Sequence, residues 1–278
     1  MSVQRICAIV GVCVTWSGLS AHGAEPSAAV PMTMMSGLQQ SLVLDGSFGA
    51  LYTDNALATG TGRIDAGYGV PFLRLTYGLK SADGWAYTIY ARNTTESYTD
   101  RIADNALTTA GTTLSKTSGE LTVGANFDTK FFFDGFYAGH SNTAYDLSAF
   151  ITQPHLFKEA GLLVVPRFTL GHRWAEIAAS ERYSIDLQLS LEKSIVGPWS
   201  VLGGGRFRIY WFQTPIVGVR PVDYYPSASV GLKYDFGNDV TLTTSVGFLA
   251  RRSNFNVRNY EKLDIGPSVD FKYPLPLP

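Results

Sequence analysis

Between Ser41 and Tyr273 apolar residues recur at every second position, segment after segment. No other feature of the chain narrows its fold so far. Successive side chains on a strand point to opposite faces, so a period of two builds one apolar and one polar face. The run Tyr183-Ser-Ile-Asp-Leu-Gln-Leu-Ser-Leu191 is the clearest case. Tyr183, Ile185, Leu187, Leu189 and Leu191 share one face; Ser184, Asp186, Gln188 and Ser190 share the other. A helix would scatter those leucines around its circumference. The same rhythm runs through Trp85–Ala91, Val240–Phe248 and Leu263–Tyr273.

The alternation predicts about twelve strands, with ten as the lower bound: 41–52, 62–79, 84–93, 118–132, 136–141, 144–152, 161–174, 181–194, 199–212, 224–236, 240–251 and 262–273. Short links at Ser81–Gly84, Val196–Pro198 and Gly237–Asp239 alternate with long ones at 94–117, 213–223 and 252–261. Short turns at one rim and long loops at the other are the habit of transmembrane barrels. The two rims stay in phase only if 136–152 holds two strands. Within the 94–117 loop, Tyr98, Ile102 and Leu107 would share a helical face and could form a lid. Asp100 and Asp104 beside Asn105 read as solvated loop residues rather than a calcium or acid-pair site. Pro71, Pro166, Pro226 and Pro267 lack a ladder donor, so each should mark a bulge or a strand end; an apparent change of parity makes Pro71 a bulge.

Four tryptophans follow Trp16: Trp85, Trp174, Trp199 and Trp211. All fall at predicted strand ends on the apolar face. Trp199 and Trp211 bracket one strand. At about 3.3 Å per residue and a tilt of roughly 40°, they lie about 30 Å apart along a barrel axis, the spacing of two aromatic girdles around an apolar band. Tyr234 and Tyr273 join the girdle at the short-turn rim. A soluble β-sandwich would place such residues mid-strand. Only 16% of residues are charged and 13% are aromatic, against about 25% charged in ordinary proteins, which excludes a disordered chain. A net charge of −1 argues against a nucleic-acid partner. Beyond the N-terminus there is no long apolar run, which excludes a bundle of membrane helices.

Residues 1–24 read as a secretory signal: Arg5, the apolar stretch Ile6–Trp16, then small residues for cleavage. Both cysteines, Cys7 and Cys13, fall inside it, so disulfides, thiol catalysis and cysteine metal sites are not expected in the mature chain. Residues 25–40, rich in Ala, Pro, Met and Ser, read as a periplasmic N-terminal arm or a plug folded into the lumen, and 41–278 as the barrel domain.

On these features the chain resembles Gram-negative outer-membrane β-barrel proteins. The last strand carries Asp264-Ile-Gly266-Pro-Ser-Val269-Asp-Phe271, similar to the polar-x-Gly-x-x-hydrophobic-x-hydrophobic signal read by barrel-assembly machinery. Pro274–Pro278 follows Tyr273, a departure from the common terminal aromatic. The resemblance implies a closed antiparallel transmembrane β-barrel in the bacterial outer membrane. Its partners would be the lipid bilayer and the assembly machinery, with Asp264, Gly266, Val269 and Phe271 as the assembly signal.

In such a barrel the face opposite the apolar one lines the interior. It carries Arg74, Arg92, Arg167, Arg206, Arg208, Lys233 and Arg251, with Asp45, Asp146, Asp186, Glu192, Asp264 and Asp270. Twelve strands give a bore between filled eight-stranded barrels and open porins. The expected function is a narrow passive channel for small polar or anionic solutes, with Arg206 and Arg208, beside Gly203–Gly205, biasing it toward anions. The first alternative is a sealed barrel, its acids and bases paired across the interior, anchoring an envelope or polysaccharide-export complex. The second is a lipid-modifying enzyme: Gly139-His140-Ser141-Asn142 is similar to the His-x-Ser-Asn motif of outer-membrane lipid A deacylases. Here His and Ser are adjacent, so a regular strand points them to opposite faces. No catalytic residue, metal or cofactor is assigned; His155 and His172 lack metal-ligand spacing, and the only glycine cluster precedes no helix, so it cradles no phosphate.

Overall fold

The computed structural model describes residues 33–35 and 38–277 apart from Thr61, Ile102 and Phe136; the signal segment and most of the N-terminal arm lie outside these described residues. Among the described residues fourteen strands follow one another: β1 Thr33–Met35, β2 Leu38–Thr53, β3 Ala66–Ser81, β4 Trp85–Tyr98, β5 Asn105–Ser118, β6 Leu121–Asp134, β7 Gly139–Thr152, β8 His155–Phe157, β9 Leu162–Ala175, β10 Arg182–Val196, β11 Trp199–Phe212, β12 Val222–Gly237, β13 Val240–Ser253 and β14 Tyr260–Pro274. All but the short β1 and β8 are staves of a closed antiparallel barrel of 12 strands. Closure comes from β2, which pairs with β3 on one side and β14 on the other. No described helix is long and apolar enough to cross a membrane; the strands take that part.

Residues paired across a ladder share a face, so the register can be followed around the wall. Asp45 pairs with Arg74, Arg74 with Arg92, Arg92 with Thr109, and Thr109 with Lys130. This face is the inner one. The outer face carries Leu75, Ile89, Phe127, Leu147, Leu170, Leu187, Phe207, Leu232, Phe248 and Val269, all exposed. Leu187 is 48% exposed, whereas the inward Asp223 is wholly buried. A soluble protein rarely exposes more than a few hundred Å² of contiguous apolar surface. This distribution is inside-out, as a bilayer requires, and it rules out the soluble sandwich. Closure also leaves no edge strand with unpaired amides in hydrocarbon.

The number of strands agrees with expectation, but two of its terms do not. The 94–117 segment is not a long loop with a lid. It completes β4, turns at 99–104, and runs back as β5. Tyr98 ends one strand and Leu107 lies in the next. Of the outward positions of β5, Ala106, Thr108, Ala110 and Thr112 are too small or too polar to mark an apolar face, and Leu114 alone carries the signal. Conversely, 136–141 and 144–152 are not two strands: residues 139–152 form β7 alone, with a register shift opposite Phe132 and Phe133. One strand missed and one split left the total unchanged.

Pro71 is a second correction, because it makes no bulge. It pairs with Phe48, and the β3–β4 ladder skips Val70 and Pro71 and resumes in the same register. Pro226 and Pro267 behave alike: each keeps one ladder and interrupts the other, between β12 and β13 and between β14 and β2. Proline's φ fits an extended strand, so only the bond its missing N–H would have made is lost. Pro166 sits where the β7–β9 ladder ends, its carbonyl accepting from Gln153 N at 3.4 Å.

The turns 82–84, 119–120, 197–198 and 238–239 share a rim with the start of β2 and the end of β14; the link 153–161, carrying β8, also lies there. The segments 54–65, 99–104, 135–138, 176–181, 213–221 and 254–259 form the opposite, long-loop rim. At the short-turn rim β1 lies against Leu38–Gln40, where β14 has already ended, so these last residues of the expected arm are strand.

Candidate functional site

The nine side chains named from the sequence as pore-lining, Arg74, Arg92, Arg167, Asp186, Arg206, Arg208, Lys233, Arg251 and Asp264, all occupy the inward face of the register. They are not one cluster. Arg74 Nε donates to Asp45 at 3.0 Å. Arg206 is bound through Nε to both Asp186 oxygens, at 2.8 and 2.9 Å. Lys233 pairs with Glu192. Arg251 reaches Asp223 Oδ2 through Nε and Nη2, at 2.9 and 2.5 Å. Asp264 accepts from Tyr68 Oη at 2.8 Å and lies 3.3 Å from Lys262. Among the described residues Arg167 has no carboxylate of its own; it stacks on Phe150, 4.1 Å from the ring centroid.

Each of these pairs joins one strand to itself, its neighbour or the next but one. The same holds for Asp146, which accepts from Arg173 twice and from Lys130 once, each at 2.6 Å. Among the described residues no ion pair crosses from one wall to the opposite wall, so the pairing that would brace the interior shut is not the pairing observed.

The lumen is uneven along its axis. Toward the short-turn rim, inward groups such as Thr76, Asn126, Gln188, Thr243 and Ser268 are half-buried. Toward the long-loop rim the inward face is filled by aromatic and aliphatic side chains. Tyr210, Phe212, Tyr225, Leu249 and Tyr260 form one buried cluster, and Ala56, Ala66, Tyr68 and Tyr98 another. The Tyr68 and Tyr98 rings stack at 4.7 Å.

Sequence reasoning missed the charges that belong to this narrow half. Arg173, Arg182, Lys130, Asp223, Lys262 and Arg258 all point into it or cap it. Arg173 and Arg182 were within reach, since they keep the parity of Arg167 and Asp186. Asp223 and Arg258 were hidden in segments taken as loop. Arg258 sits on a short 3-10 turn, Asn256–Arg258, where burial and then the Arg251 charge push its guanidinium below the usual range.

The aromatic residues fall at both rims of the outer face. Trp85 and Trp199 open β4 and β11, Tyr234 packs edge-on against Trp199 at 4.8 Å, and Tyr273 lies near the end of β14. Trp174 and Trp211 are the penultimate residues of β9 and β11, at the other rim. In β14, Val269 and Phe271 face outward and Asp264 and Gly266 inward. Of the Gly203–Gly205 run only Gly204 shares the face of Arg206; Gly205 instead lines a 510 Å³ dent in the outer surface, walled by Leu187, Leu189, Phe207 and Pro226.

His140 does not engage Ser141. Its Nε2 lies 3.0 Å from Thr143 Oγ1 and 3.9 Å from the Glu176 carboxylate. His172 meets Gln213 on the outer face, and His155 lies 3.5 Å from Glu120 at the short-turn rim. Asp104 is taken up by the Tyr98 backbone N–H at 2.7 Å. Among the described residues no three His, Cys, Asp or Glu side chains gather as metal ligands would.

Against known proteins, no family model matches the chain, and no curated protein does. Solved structures do match. An outer membrane channel from Pseudomonas putida F1 superposes with a TM-score of 0.54 at 13% identity, covering 90% of this chain and 100% of that one. An anion-selective porin from Comamonas acidovorans gives 0.45 at 6% identity over 85% and 100%. LpxR from Salmonella typhimurium gives 0.44 at 10% identity over 82% and 99%. At these identities the likeness is one of fold: the chain is built as the β-barrels of Gram-negative outer membranes are.

Proposed function

We propose that the chain is a narrow passive channel of the bacterial outer membrane for small polar or anionic solutes. The observation that carries this reading is the direction of the ion pairs. They run along the wall, neutralising most inward charge locally while no described pair ties one side of the lumen to the other. Charged rings that line a bore set selectivity by the sign they leave uncompensated, and here that sign is positive. Arg167 has no carboxylate partner among the described residues, nor do Arg182 and Arg208 in the narrow half. The same reading takes residues 1–24 as an export signal. It takes Trp85, Trp174, Trp199, Trp211, Tyr234 and Tyr273 as interfacial girdles, and Asp264, Gly266, Val269 and Phe271 as the mark read by assembly machinery.

Single-channel recording of the refolded chain in a planar bilayer tests it. The expected result is a small, steady conductance with anion preference, and that preference drops in Arg167→Ala. A silent bilayer, with insertion shown by a heat-dependent shift in gel mobility, overturns the channel and leaves a sealed anchoring barrel. Hydrolysis of a lipid by the wild-type chain, abolished in His140→Ala, would instead return the enzyme reading.

A further inference from the structure

The arginines of the narrow half are more numerous than the carboxylates that could neutralise them. Asp146 is used by Arg173 and Lys130. Asp223 Oδ2 is used by Arg251 at 2.5 Å; Arg258 Nη2 comes to 3.1 Å of the same oxygen but makes no hydrogen bond with it. Arg182 and Arg208 make no ion pair with any described residue. These three guanidinium groups are nonetheless removed from solvent: Arg182 is 6% exposed, Arg208 8% and Arg258 7%. Their buried nitrogens Arg182 Nη1, Arg208 Nε and all three of Arg258 have no hydrogen-bond partner. Arg208 Nη1 donates to Tyr210 Oη at 3.0 Å.

The aromatic cluster brings the three together. Arg182 lies 4.2 Å from the Tyr210 centroid and 5.6 Å from that of Phe212. Arg208 shares Tyr210, at 5.9 Å, and Arg258 shares Phe212, at 4.2 Å. A guanidinium stacked on a ring spends its face on the π cloud and keeps its N–H edges in plane. Those edges are what a carboxylate or phosphate oxygen accepts from, often in pairs. Water could satisfy the donors, but it would leave Arg182 and Arg208 with no counter-ion, and Arg258 sharing Asp223 with Arg251, in a low-dielectric recess where an unneutralised ion is costly.

We infer that Arg182, Arg208 and Arg258 form a binding site for one small oxyanion, a carboxylate or phosphate group, free or carried on a solute, held in the narrow half of the lumen. For its place in transport the site rests on the channel reading; the binding itself does not. The site also moves the anion-recognising group away from Arg206, whose guanidinium is already taken by Asp186.

Calorimetric titration of the refolded full chain in micelles, at constant ionic strength, tests the site with inorganic phosphate and with acetate as probes. Saturable binding of one equivalent of either probe is expected, weakened at least tenfold in Arg182→Gln/Arg258→Gln and unchanged in Arg252→Gln, an outward arginine at the same rim. Where the double variant does not refold, Arg258→Gln alone serves, since Arg258 lies on a turn outside the barrel strands. Absence of saturable binding of both probes, or equal affinity in the variants, overturns the site. Binding without conductance keeps the site and removes the channel; conductance without binding does the reverse.

Discussion

A single side chain in this fold is read by two solvents, lipid outside and a polar lumen inside, and its neighbour in sequence meets the other one. Leu187 and Gln188 make the contrast testable. Leu187→Arg would put a guanidinium into the apolar band and should destabilise the barrel by about 2–4 kcal/mol, whereas Gln188→Arg should cost far less. Urea unfolding of both variants in lipid vesicles checks this; equal penalties would mean the faces are assigned wrongly. The polarity of each residue told which face it takes wherever the lumen is polar. It misled where the lumen is packed, because Tyr68, Val70 and Phe72 point inward and Gly67 and Gly69 outward. That inversion is what made Pro71 look like a change of parity. Arg173 and Arg182 each stand beside an outward aromatic, Trp174 and Tyr183, so the alternation carried one residue further would have flagged them.

At the scale of the strand, what an element contributes depends on how well it can be seen on one face. β10 and β11 announce themselves through leucine and tryptophan, and their range in the structure departs little from the pattern. β5 does not, since its outward Ala106, Thr108, Ala110 and Thr112 carry almost no apolar contrast; pairing with β4 and β6 along its whole length holds it in place. Tertiary context outweighs weak local preference in strands generally. The seam between β14 and β2 is where an element-level error should show most. A Cβ at Gly266 would lie 2.2 Å from the Ala50 carbonyl oxygen, backbone that cannot swing aside. Pro267 beside it already interrupts that ladder. Gly266→Ala should therefore weaken barrel closure by about 1–3 kcal/mol, read as a lower urea midpoint after refolding from purified chain. Because no assembly machinery is present in that measurement, a normal midpoint combined with failed insertion in cells would assign Gly266 to recognition rather than to packing.

For the whole molecule, the period of two, the girdle spacing and the alternating link lengths were enough to specify a closed barrel, since no other arrangement hides the backbone of so many one-sided strands. They could not specify how the interior is filled. The crowding at one end depends on which inward residues meet from strands far apart in sequence, such as Tyr210, Tyr225 and Tyr260. The even number of staves has a further consequence. The first stave begins and the last one ends at the short-turn rim, and β1 doubles back there too. A reporter joined just before β1 and another joined after Pro274 must then share one compartment, while an epitope set into 213–221 faces the other. In intact cells, an external protease should spare both end reporters and cut the loop epitope. A single accessible end would require an odd number of crossings, and the barrel described above would have to be redrawn.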